Sequence, residues 1–96
     1  MRNEQIILNT KVVSGEDVNV VGTTVFAEKK SVKRSEFYAA YQVGLNVKHA
    51  FEVDADDYAF ASVNGEEPTE LIYNGKRYVI VRAYEKDGLV EVVVTE

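Results

Sequence analysis

The dipeptide Asn74-Gly75 constrains this chain more than any other feature. It sits between "ELIY" and "KRYVIVRAY", two runs rich in β-branched and aromatic residues. A two-residue connection between such runs is often a type I′ turn, which has φ > 0 at both positions. Asn followed by Gly accepts that most readily, so the segment is predicted to be a type I′ β-hairpin. Lys86-Asp87-Gly88 marks a second tight turn before "LVEVVVTE". The C-terminal part is therefore expected to be a three-strand meander over Glu70–Tyr73, residues 77–84 and Leu89–Thr95.

"YVIVRAY" and "LVEVVV" alternate only imperfectly between apolar and polar positions. Strands that are apolar on both faces are usually covered on both. In a chain of 96 residues that predicts a closed or nearly closed barrel, or a partner over the outer face. Upstream, "QIILNTKVV" and "VNVVGTTVFAEKKSV" read as two more strands around the turn Ser14-Gly15-Glu16-Asp17. Gly22, inside the second, is read as a bulge or a bend. "HAFEVDA" is another strand, ended by an acidic turn, and Pro68 lies in a loop. The expected fold is mostly β: a small closed or nearly closed antiparallel β-barrel of about six strands, one domain over residues 1–96.

One phrase breaks the β pattern. In "KRSEFYAAYQVGL", Ser35 suits an N-cap and Glu36 the positive end of a helix. Phe37, Ala40, Tyr41 and Gly44 recur at i, i+3, i+4 and i+7, and Gly44 suits the position just past a helix. The spacing predicts a short helix over residues 35–43, from Ser35 to Val43. A helix of that length is marginal alone. It is expected to pack Phe37 and Tyr41 onto one end of the barrel as a plug or lid.

Composition narrows the function classes. Without cysteine there is no disulfide framework and no thiolate metal site. The first residues, "MRNEQIILNT", lack the apolar region of a secretory signal, and no apolar run approaches the ~20 residues that span a bilayer. The expectation is a soluble protein made in a cytoplasm, with no membrane partner. A net charge of −5 disfavours free-standing nucleic-acid binding. The charge is uneven, however: "EKKSVKR" is basic, while "EVDADDY" and "NGEEPTE" are acidic.

No cluster carries an obvious chemistry. Asp54, Asp56 and Asp57 approach the start of a calcium loop, but Tyr58 takes the third ligand position and no glycine follows. His49 is the only histidine and reads as a surface residue at a strand start. No serine sits in a nucleophile elbow, no carboxylate pair has an apolar setting, and no glycine-rich phosphate loop is present. No catalytic residue, metal or cofactor is expected. Tyr78 and Tyr84 flank "VIVRA" near Arg77 and Arg82, which could build a stacking platform for single-stranded nucleic acid on an OB-like barrel. Core and cross-strand packing is the preferred reading of those tyrosines.

Taken in order, "VFAE", "RSEFYAA", "GL", "FEVDADDY", "YNGKRY" and "LVEVVV" resemble the phage head–tail joining proteins, also called head closure or stopper proteins. The likeness covers residues 25–94 and departs at residues 1–20 and in the long loop 59–70. It implies a small β-barrel with a short helix and no enzymatic activity. It further implies a virion subunit, assembled in the bacterial host cytoplasm, that is monomeric alone. In the virion it would self-associate in a ring between portal/adaptor connector proteins and tail proteins, with DNA only passing through. A tail-completion or terminator subunit would share that physics. Under this resemblance the acidic loops, with Asp54, Asp56, Asp57, Glu66 and Glu67, would reach neighbours or the channel. Lys29, Lys30, Lys33 and Arg34 would meet an acidic face on the adaptor.

Overall fold

The computed structural model describes residues 3–31 and 47–96. Its strands are β1 (Glu4–Ser14), β2 (Asp17–Lys30), β3 (Val47–Asp54), β4 (Glu70–Tyr73), β5 (Lys76–Lys86) and β6 (Leu89–Thr95). A helix, α1 (Ala55–Ala61), follows β3. The six strands close into an antiparallel barrel in the order β1-β2-β3-β6-β5-β4, with β4 returning to β1. The helix expected over residues 35–43 lies outside the described residues, as do Lys33 and Arg34.

The turns form for local reasons. Asn74 and Gly75 have φ of 51° and 76°, and Asp87 and Gly88 have 55° and 78°. Both pairs therefore have the double-positive backbone of a type I′ turn. The imperfect alternation in β5 has a physical cause as well. Its register with β6 slips between Ile80 and Arg82. Before the slip Tyr78 and Ile80 turn inward; after it Ala83 packs on the core. One extra residue exchanges the two faces. In β6, Val90, Val92 and Val94 point into the core, while Val93 joins Val47 and Ala50 in a second buried cluster on the other face.

Gly22 is not a bulge. The β1–β2 register runs unbroken across it, from Glu4↔Ala27 to Ser14↔Asp17. A Cβ on Gly22 would lie 3.2 Å from Asn9 Oδ1 and 3.3 Å from Ile7 Cγ2, so the glycine makes room for its cross-strand neighbours.

The acidic cluster is not a turn but the start of α1. Asp54 holds the extended N-cap backbone, and Asp56 and Asp57 occupy the first turn, where carboxylates favour the positive helix end. Tyr58 and Ala61, three apart, are the buried side. The helix stops at Ser62, whose N–H donates to the carbonyls of Tyr58 at 3.1 Å and Ala59 at 3.2 Å. Two bonds tie α1 to the barrel end. The Thr10 hydroxyl donates to the Ala61 carbonyl at 2.6 Å in the core, and the Ala55 N–H donates to the Gly88 carbonyl at 3.0 Å. The chain after α1 turns at Asn64-Gly65, closed by reciprocal 2.9 Å backbone bonds between Val63 and Glu66.

Candidate interaction surfaces

The register gives the barrel two distinct ends. Asp54 pairs with Leu89 at the end covered by α1, while Val47 and Thr95 pair at the opposite end beside the Asn74-Gly75 turn. At the helix end, a groove of about 430 Å³ is lined by Asp56, Tyr58, Glu67, Tyr84 and Glu85 among others. The Glu67 carboxylate lies beside the Tyr58 hydroxyl. Burial, with that carboxylate beside it, pushes the phenol far above its ordinary range, so it stays a donor. Of the acids singled out in the sequence, Asp56 and Glu67 meet in this groove. Asp54 lies at the end of β3, Asp57 is exposed on α1, and Glu66 is exposed beyond it.

The opposite end is aromatic and basic. The His49 ring meets Tyr78 edge-on at 5.2 Å between centroids, with Tyr73 and Phe51 each at 6.0 Å. His49 is therefore not a plain surface residue. Partial burial holds its pKa below the ordinary 6.5, and Lys29, Lys48 and Lys76 push in the same direction. The Lys29 ammonium lies 5.5 Å from the Tyr73 ring centre and that of Lys76 5.6 Å from Tyr78. Lys76 also pairs with Glu96. Lys30 turns the other way: it pairs with Ala50 on the outer face and bridges Glu28 at 3.5 Å. The basic patch is thus split across two faces where it is described. Tyr78 is buried, so a base has no face to stack on there, and Tyr84 is half-buried under Arg82, 4.7 Å from its ring centre.

Two features escaped sequence reasoning because they depend on register. The first is a row of three glutamates, Glu28, Glu52 and Glu91, directly opposite one another on β2, β3 and β6. Like charges so placed repel. Among the described residues no three acids or histidines, these glutamates included, converge as a metal site. The second is an arm. β4 pairs with β1 only from Ile6 to Asn9, and β3 pairs with β2 only from Glu28 to Lys30. Among the described residues, 11–20 therefore pair only with each other, as a two-stranded ribbon that exposes Val13, Val18 and Val20. The strand lengths held a trace of this: β1 and β2 have 11 and 14 residues, far more than the four of β4 can pair.

The same face continues down the barrel. Register partners share a face. With Ile6 and Leu8 inside, the row Thr24–Ile7–Ile72–Arg77 lies outside across four strands. Above it lies the row Gly22–Asn9–Glu70–Val79. A groove of about 260 Å³ opens on this wall between Gln5, Ile7, Thr24, Ile72, Asn74 and Gly75.

No protein-family model matches the chain, and no curated protein matches it either.

Proposed function

We propose that the chain is a structural subunit of the head–tail connector of a tailed phage or prophage. In this reading it is a head-closure protein that forms a ring between portal/adaptor and tail, retains packaged DNA and docks the tail. The observation that carries the proposal is the arm of residues 11–20, whose valines 13, 18 and 20 are exposed and whose outer edges pair with no other strand among the described residues. A two-stranded ribbon is marginal in water by itself, and open edges invite another chain. Such an element suits a subunit whose contacts form only in an assembly. The order of sequence motifs that resembles head–tail joining proteins supports the same reading. So does the separation of acidic and basic ends: the acidic end would repel DNA in a channel, and the basic end would meet an acidic adaptor. The reading requires no catalytic step and no cofactor.

The test is reconstitution. Purified chain is mixed with portal and adaptor rings and viewed by electron microscopy. A new ring layer on the adaptor is expected. Binding of single-stranded DNA at physiological salt with no recruitment to the rings would replace this reading with a nucleic-acid module.

A further inference from the structure

Among the described residues seven large apolar side chains are exposed, and five of them share one wall: Val13, Val18, Val20, Phe26 and Val79. Val21 lies on the opposite face of the arm, paired with Thr10. Phe60 stands apart. It is 80% exposed on α1, the most exposed large apolar side chain of the set. Asp57 and Asp56, three and four residues before it, lie on its side of the helix and are exposed. The chain thus presents an aromatic knob with two carboxylates in one place and an apolar wall with a groove in another. The exposed charges of that wall include Lys11, paired with Val20, and Arg77, paired with Ile72; its acids Glu70 and Glu28 are half-buried, and Glu28 is bridged by Lys30.

Knob and groove match in size and in charge, and they lie on different elements of the same chain. We propose that Phe60 of one copy seats between Ile7, Thr24 and Ile72 of the next copy, with Asp56 and Asp57 facing Lys11 and Arg77. This rests on the ring reading above and names its subunit contact. Because each copy offers its knob to one neighbour and its groove to another, the contact is heterologous. It propagates head to tail and closes when the rotation divides a circle. One aromatic anchor with two rim ion pairs is weak in isolation, so the contact forms transiently between free copies, often enough to speed cross-linking, and persists when a scaffold gathers many of them.

The chain has no cysteine, so introduced pairs report the contact directly. Phe60 and Thr24 are exposed, and replacing them leaves the core intact. Phe60→Cys and Thr24→Cys proteins are made separately, mixed and mildly oxidised. Their disulfide should form roughly tenfold faster than that between Phe60→Cys and Lys48→Cys, as proximity raises effective concentration. Asp57→Arg on the first protein should slow it, and Arg77→Asp on the second should restore the rate. Equal rates with Thr24→Cys and Lys48→Cys, or dominant pairing of Phe60→Cys with itself, would overturn the contact. The same pairs are then tested on portal–adaptor rings. Recruitment without the expected disulfide sinks this contact and leaves the ring reading intact. Failure of the unmodified chain to be recruited sinks the ring reading itself.

Discussion

His49 and Thr10 carry the sharpest residue-scale consequences. Burial beside three lysines depresses the folded-state pKa of His49 below 6.5, so protons bind the unfolded chain more readily. The stability it contributes is whole above 6.5 and is lost as pH falls from there toward the depressed value. Urea midpoints measured as the solution is acidified should drop in that window, and His49→Gln should flatten the drop. Glu28 and Glu96 act lower: Lys30 and Lys76 respectively hold them below 4.5. An undiminished slope in the His49→Gln protein would assign the effect to other groups. At the helix end, Thr10→Val removes the donor to the buried Ala61 carbonyl and leaves it unsatisfied. A loss of about 1–3 kcal/mol in chemical denaturation is expected. Neither role was legible in the sequence. His49 reads as a surface residue because its partners sit on β4 and β5, far along the chain.

At the scale of elements, what is local was legible and what is long-range was not. The hairpins of β4–β5 and β5–β6 follow from Asn74-Gly75 and Asp87-Gly88, because positive φ is a property of the residues themselves. Gly75→Ala adds a Cβ that meets nothing within 4 Å, so its cost is backbone strain alone. About 1–2 kcal/mol of destabilisation by thermal melting is expected. Helix α1 was missed because seven residues do not hold a helix unaided. It is held by Tyr58, Ala61 and the Thr10 bond, all of them tertiary. The glutamate row was invisible for the same reason. Replacing Glu52 by Lys sets a cation between Glu28 and Glu91. A gain of about 0.2–1 kcal/mol per relieved pair is expected, shrinking with added salt.

For the whole molecule, barrel closure was foreseen from strands apolar on both faces, although in β5 the bulge, not double coverage, explains much of that pattern. The arm and the apolar wall were not foreseen. The residues 13, 18 and 20 look like ordinary strand valines until the register leaves them without a third strand among the described residues. This gives the arm a signature opposite to that of a core. Val18→Ser with Val20→Ser should change unfolding free energy by no more than about 0.5 kcal/mol each, yet should abolish recruitment to connector rings. The most direct check of the ring-subunit account is sedimentation velocity of the chain with and without the portal–adaptor complex. The account predicts a monomer alone and co-sedimentation in a fixed ratio once the complex is added. A chain that stays monomeric in the presence of the complex would contradict it.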